Sequence, residues 1–256
     1  MLILSIAIQK GGSGKTTTAL NLAAALHRAG KQVLLVDLDP QANLTQSMGV
    51  TDDSPLSIYE LLKQAAAGET IAVEQAIVRT GVLPLIPANL ELAGAELELV
   101  NVYGREQLLK QVLKQVWAQF DIVVVDCPPA LGMLTVNALT ASDYVLLPLQ
   151  TALLPFKGVQ QFMKNLQQIR QQLNKKLKMA GLVLTQYDEH KSMHRSVRIA
   201  LEKMYPELVL SAEIRSNVAL ARAREEASDI FTYDSQANGA KDYYRLATEV
   251  AARFYA

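Results

Sequence analysis

A single cysteine, Cys127, stands among 256 residues, which excludes an intrachain disulfide framework and any metal site built on several thiolates of one chain. Aromatic residues are scarce at 6%. Half of the residues are nevertheless hydrophobic and a fifth charged, enough apolar material for a large core, so wholesale disorder is excluded. No apolar run approaches the ~18 residues that a membrane-crossing helix needs. Met1 to Ile8 show neither a basic n-region nor a cleavage pattern, so the expectation is a soluble, cytosolic protein. There is no internal repeat, low-complexity tract or Pro/Gly/Ser linker, which leads us to expect one domain over 1–256. Net charge is also lacking, with 25 basic and 25 acidic residues, but the balance conceals a split. Residues 1–156 carry 9 Lys/Arg against 14 Asp/Glu, whereas 157–256 carry 16 against 11. Within 157–203 the count is 10 basic to 3 acidic. Such asymmetry describes either solvated helix faces or a face that meets a polyanion.

What is present is an alternation of short apolar runs and helical periodicities. Leu2 to Ile8 suits a fully buried strand. Ala19, Leu22, Ala23, Leu26 and Ala29 then recur at helical spacing from Thr16 to Ala29, with Gly30 as a stop. Val33 to Val36 reads as a second strand, and strand–helix–strand implies a right-handed parallel crossover. Further strands are expected at Val82 to Ile86, Ile122 to Val125, Tyr144 to Leu147, Gly181 to Leu184 and Val209 to Ile214. Helices are expected at Ile58 to Ala66, Glu106 to Val116, Val159 to Leu173, Ser196 to Met204 and Lys241 to Phe254. The fold class that follows is α/β: a single open, mostly parallel twisted sheet of about seven strands with helices on both faces. Sites in such sheets lie at the carboxyl ends of the strands.

The stretch Gln9-Lys10-Gly11-Gly12-Ser13-Gly14-Lys15-Thr16-Thr17 joins the first strand to the first helix. Glycines let the backbone turn its N–H groups inward as an anion nest, and the helix dipole adds positive potential. Lys15 can reach β- and γ-phosphate oxygens, and the Thr16 hydroxyl can ligate Mg2+. The standard spacing would place glycine at position 9, where Gln9 stands, and Lys10 is an additional cation.

The block KGGSGKTT resembles the deviant Walker A box of the ParA/MinD class of P-loop ATPases, and three further blocks match in order over nearly the whole chain. The resemblance implies ATP and Mg2+ as ligands, with residues 11–17 (Gly11, Gly12, Ser13, Gly14, Lys15, Thr16 and Thr17) holding the nucleotide. It further implies a homodimer that sandwiches two ATP molecules, Lys10 reaching across to the partner's nucleotide. In Val36-Asp37-Leu38-Asp39-Pro40, two carboxylates follow a strand end and could ligate Mg2+ through water or orient the attacking water. The family reading assigns water activation to Asp39, with Asp37 in support. Ile122 to Pro129 resembles a Walker B strand, with Asp126 on the metal's water shell and two prolines stiffening the following loop. Cys127 there reads as a small residue packed behind the site. Ile86 to Glu96 resembles the segment after the third strand in ParA proteins, although an Asn89 cap would explain it as well. By resemblance, Thr185-Gln186-Tyr187-Asp188 and the turn Ile214 to Asn217 flank the adenine.

Within the class, one cysteine excludes a cluster shared between two subunits. The last helix has Tyr244, Ala247, Val250, Ala251 and Phe254 on roughly one face with only Arg245 and Arg253 as cations, so it should dock on the domain rather than on a membrane. A metabolic ligase or kinase would need an acceptor site, and none is identified. The reading that remains is a ParA-type partition ATPase. Its ATP dimer would bind non-specific DNA, associate with the nucleoid and release when a ParB-like adaptor stimulates hydrolysis; no helix-turn-helix extension precedes the ATPase core. Departures from the family pattern occur at Ala219, at His190 and over Ala152 to Lys157. DNA contacts are therefore expected from a rearranged set: Lys191, Arg195, Arg198, Arg215, Arg222 and Arg224. Two alternatives stay open: a protein cargo such as carboxysomes, with a McdB-like adaptor, and an ATP-switched scaffold that never touches DNA.

Overall fold

The runs Leu2–Ile6, Val33–Asp37 and Ile122–Asp126 are almost wholly buried, and they lie side by side at the centre of one parallel sheet. Continuous apolar runs dictate this position, since a strand covered by helices on both faces has no polar side. The computed structural model describes residues 1–51, 56–151 and 156–254. Among the described residues the strands are β1 (Leu2–Ile6), β2 (Val33–Asp37), β3 (Val78–Arg79), β4 (Pro84–Ile86), β5 (Ile122–Asp126), β6 (Tyr144–Gln150), β7 (Lys178–Tyr187) and β8 (Val209–Arg215). They form one sheet in the order β3-β4-β2-β5-β1-β6-β7-β8, parallel throughout except for the β3–β4 pair. The expected seven strands are thus eight. The additional β3 is two residues long, too short to leave a period in the sequence.

The helices are α1 (Lys15–Arg28), α2 (Asn43–Ser47), α3 (Ile58–Ala67), α4 (Val73–Ala76), α5 (Leu92–Glu98), α6 (Leu108–Lys114), α7 (Met133–Ala141), α8 (Phe156–Gln172), α9 (Ser192–Met204), α10 (Val218–Glu225), α11 (Ile230–Asp234) and α12 (Asn238–Phe254). Alternate strand residues feed two cores on opposite faces. Ile3, Leu34, Val36, Val123 and Val125 pack with α3, α6, α7 and α8. Leu4, Ile6, Val33, Leu35 and Val124 pack with α1 and α12.

Several helices differ from the sequence reading, and the short α2, α4, α10 and α11 have no expected counterpart. Helix α7 has no predicted counterpart because Leu134, Thr135, Asn137, Ala138, Leu139, Thr140 and Ala141 are all buried, which erases the amphipathic pattern. Helix α9 begins four residues before the expected Ser196. Helix α12 docks on the domain with Ala247 and Val250 buried and Ala251 and Phe254 packed against the core, as expected, but Tyr244 is 62% exposed and Ala240, Tyr243 and Leu246 complete the face instead. The departing residues Ala152 to Pro155 lie outside the described residues.

Register places the chemistry. Ile6 pairs with Asp126 and Asp126 with Asp37, so three strands end level at one edge of the sheet. The loops that follow them meet there.

Candidate functional site

The loop after β1 is built to leave its backbone donors free. Gly12 and Gly14 adopt φ of 70° and 86°, left-handed values that favour glycine. Gly14 is the N-cap of α1 and brings no side chain to it, so first-turn N–H groups remain for an anion. The loop is pinned from inside and outside. The Lys15 ammonium donates to the Lys10 carbonyl at 3.1 Å, and the Ser13 hydroxyl donates to the same oxygen at 3.3 Å. From β7, the Thr185 hydroxyl donates to the Ser13 carbonyl at 2.9 Å.

Three aspartates stand beside this loop, each differently held. Asp37 is fully buried and accepts from the Thr45 N–H and the Thr45 hydroxyl, both at 2.8 Å, and from the Asp39 N–H at 3.1 Å. Burial outweighs those donors and pushes its pKa up to about 6. Thr45 in turn accepts from the Ala88 N–H at 3.0 Å, tying the loop after β2 to the loop after β4. Asp39 is 7% exposed and accepts from the Gln41 N–H at 3.0 Å. Asp126 is 1% exposed and neither of its oxygens has a hydrogen-bond partner among the described residues. Burial first and the neighbouring Asp37 second hold its pKa well above the carboxylate range, although Thr16 and Lys15 lie near enough to offset part of this. Lys10 Nζ is likewise buried without a partner among the described residues.

Orphaned buried charges are rare because each costs desolvation without compensation. A ligand carrying anions for Lys10 and a cation for Asp126 supplies what both lack, so the residues fit a metal–polyphosphate. No group of three or more His, Cys, Asp or Glu among the described residues is arranged as a metal cage. A hydroxyl, a carboxylate, water and substrate phosphates suit Mg2+, which keeps several waters and seldom sits in an all-protein cage. Cys127 is buried behind Asp126, and its thiol pKa is pushed up to about 12 by burial, so it is inert.

A cavity of about 720 Å³ opens beside Gly14 and Thr17 and is lined by Thr185, Gln186, Ile214 and Asn217. Tyr187 and Asp188, also expected near the base, line a separate cleft beside α12. Thus Lys10, Lys15, Thr16, Asp39 and Asp126 gather at one strand-end edge, while the six basic residues spread over α9, the end of β8 and α10. Lys191, Arg195, Arg222 and Arg224 are exposed. Arg224 donates to Asn43 Oδ1 at 2.8 Å, and Lys191 lies 3.7 Å from Asp188. Arg198 pairs with Glu202 and Glu213, and Arg215 forks onto the buried Asp242 with its closest contact at 2.6 Å, so the charge of these two is partly neutralised. Sequence reasoning missed Thr45 and Asp242, and it named Thr185 for the adenine side without its bond to the phosphate loop. Threonine and aspartate at strand and helix positions carry no spacing signal, and only the folded chain brings them to the site.

A glycine-rich loop entering a helix, a buried aspartate at the end of a neighbouring strand and a parallel sheet that aligns the two define a phosphate-loop nucleotide protein. Comparison with known proteins narrows the class. The AAA domain family matches residues 1–179. The chain is 40% identical over 251 residues to the sporulation initiation inhibitor protein Soj of Bacillus subtilis, covering 98% of each chain. It is 38% identical over 256 residues to the chromosome partitioning protein ParA of Caulobacter vibrioides, covering 98% of this chain and 94% of that one. Among solved structures, one described as cobyrinic acid a,c-diamide synthase from Mycobacterium smegmatis with bound ADP and magnesium superimposes with a TM-score of 0.86 at 38% identity, covering 100% of this chain and 96% of that one. The protein belongs to the ParA/Soj family of ATPases. No helix among the described residues is long and apolar enough to cross a membrane.

Proposed function

We propose that this protein is a Mg2+-dependent ATP hydrolase that closes as an ATP-sandwich dimer on non-specific DNA and is reopened by an adaptor of the ParB kind, so that chromosome or plasmid DNA is partitioned. The observation that carries the reading is the pair of buried groups without a hydrogen-bond partner among the described residues, Lys10 Nζ and the Asp126 carboxylate, beside a loop of free backbone donors. Residues 11–17 and Lys15 bind the β- and γ-phosphates, and the Thr16 hydroxyl with Asp126 holds Mg2+ and its water. Bound Mg2+ neutralises phosphate charge in the transition state. Asp39 orients the attacking water, and Asp37, fixed by Thr45, sets the direction of the loop that carries Asp39. Lys10 Nζ has no ion pair or hydrogen-bond partner among the described residues, so turning it toward a partner's phosphates breaks no bond to them. The cavity lined by Thr185 and Asn217 is of a size to take the base.

DNA binding rests on the exposed cations Lys191, Arg195, Arg222 and Arg224, each able to displace counterions from phosphates. Arg198 and Arg215 serve it less, being paired internally. An amide synthase activity, as named for the Mycobacterium smegmatis structure, would require an acid acceptor to take the γ-phosphoryl group. The test is binding to non-specific duplex DNA with ATP·Mg2+, with ADP and without nucleotide, across a salt series. Binding that needs ATP and weakens steeply with salt supports the reading. Dimerisation with ATP but no DNA binding at low salt overturns its DNA half and leaves a protein scaffold.

A further inference from the structure

Gly132 is the N-cap of α7 with φ of −94°, a value open to any residue, so its backbone does not require glycine. Its surroundings leave no room for a Cβ unless the Glu96 side chain moves. A Cβ at this position would lie 2.7 Å from Glu96 Cδ and 2.9 Å from Glu96 Oε2, and closer still to Oε1. The Glu96 carboxylate therefore rests on the backbone of the loop that runs from Asp126 through Pro128 and Pro129 into α7. Helix α7 receives no side-chain cap from Gly132, and a carboxylate at that end compensates the positive pole of the helix dipole.

The two helices in this contact are anchored elsewhere. Glu98, on α5, accepts from the Tyr59 hydroxyl of α3 at 2.9 Å and 3.1 Å, while Leu92 and Ala95 bury the inner face of α5. The body of α7 is held by the buried Asn137, which accepts from the Leu109 N–H at 3.1 Å and donates to the Arg105 carbonyl at 2.8 Å. Between these anchors, the loop 127–132 is braced by the Thr135 hydroxyl, which donates to the Ala130 carbonyl at 2.6 Å, and by the Glu96 carboxylate seated against Gly132.

We propose that Glu96 is a positioning residue for ATP hydrolysis: it acts through the loop after Asp126, holding that loop and the first turn of α7 in the arrangement the reaction needs, and Gly132 is glycine to admit it. This rests on the ATPase reading above. The carboxylate touches no reacting atom, so its loss should slow turnover without weakening nucleotide binding.

The test uses Glu96→Gln, Gly132→Ala and the double variant, with two readouts. The first is hydrogen–deuterium exchange of residues 131–137 in nucleotide-free protein, where all three variants should exchange faster than the parent chain to the same degree. The second is steady-state ATP hydrolysis, where kcat should fall about tenfold with KM within about twofold, a positioning loss rather than a binding loss. The double variant should be no slower than either single one, since Gly132→Ala expels the group that Glu96→Gln neutralises. Unchanged exchange together with unchanged kcat overturns the proposal, as do effects that multiply. A parent chain without ATPase activity refutes the proposed function instead, and exchange then still decides whether Glu96 holds the loop. If Gly132→Ala does not fold, Glu96→Gln leaves the backbone untouched and carries both readouts.

Discussion

Asp126 is a carboxylate buried without a hydrogen-bond partner among the described residues and only partly offset by the nearby Thr16 and Lys15, and that condition has a pH signature. Its folded-state pKa lies above the unfolded value, so the folded chain binds the proton more tightly than the unfolded one. The destabilisation is absent below about pH 4, where both states are protonated, grows as pH rises past the unfolded pKa, and is complete only above the folded pKa. Asp37, raised to about 6 by burial, adds to it over the same window. Asp126→Asn should therefore raise the Tm of the nucleotide-free protein at pH 7–8, by about 2–4 °C for each kcal/mol relieved, and leave it unchanged near pH 4. Thermal unfolding across a pH series checks this; a Tm lowered at neutral pH would mean that Asp126 is compensated in a way its geometry does not show. At the same scale, Lys15→Ala should weaken ATP binding by tenfold or more, roughly the worth of one charge-assisted contact. Asp39→Ala should leave binding within about twofold and abolish most turnover. A nucleotide titration and a phosphate-release assay separate the two. Lys15 and Thr16 were singled out in the sequence because phosphate chemistry asks for those residue types at fixed spacing, and Lys10 and Asp126 because their blocks resemble the ParA/MinD class. Thr45 was not: its two bonds to Asp37 and one to the Ala88 N–H join segments that only the sheet brings together.

Elements were legible to the extent that burial is periodic. Strands β1, β2 and β5 carry unbroken apolar runs and were recognised on that ground, whereas α7, buried on nearly every side, left no stripe to read. Two element-scale braces deserve direct tests. Thr185 on β7 holds the Ser13 carbonyl, and its methyl lies 3.6 Å from where a Cβ on Gly14 would stand. Thr185→Val keeps the shape and removes the hydrogen bond, so stability should fall by about 1 kcal/mol and ATP affinity by a few-fold. Equal ATP affinity in a titration would show that the loop holds its form without β7. On the other side of the cavity, Asp242 of α12 fixes Arg215 and caps its N–H at 3.0 Å. Asp242→Ala strands that N–H and should cost about 1–3 kcal/mol in urea unfolding, the guanidinium being softened by its partial exposure.

For the whole molecule, the split in charge is the feature that sequence and fold report together. The carboxylate-rich first half builds the site, and exposed cations of α9 and α10 occupy the second. Composition alone could not tell a solvated face from a DNA-binding one, because charge counts carry no geometry. The fold narrows the choice by showing that Arg198 and Arg215 are engaged and that Lys191, Arg195, Arg222 and Arg224 are exposed. The central claim is that ATP closes two copies through Lys10, and it is tested most directly by the mass of the particle in solution. Light scattering on Asp39→Ala with ATP·Mg2+ should give a dimer, with ADP a monomer, and the Lys10→Ala/Asp39→Ala double variant should stay monomeric with ATP. A double variant that dimerises as tightly as Asp39→Ala, or a dimer that forms equally without nucleotide, would contradict the account.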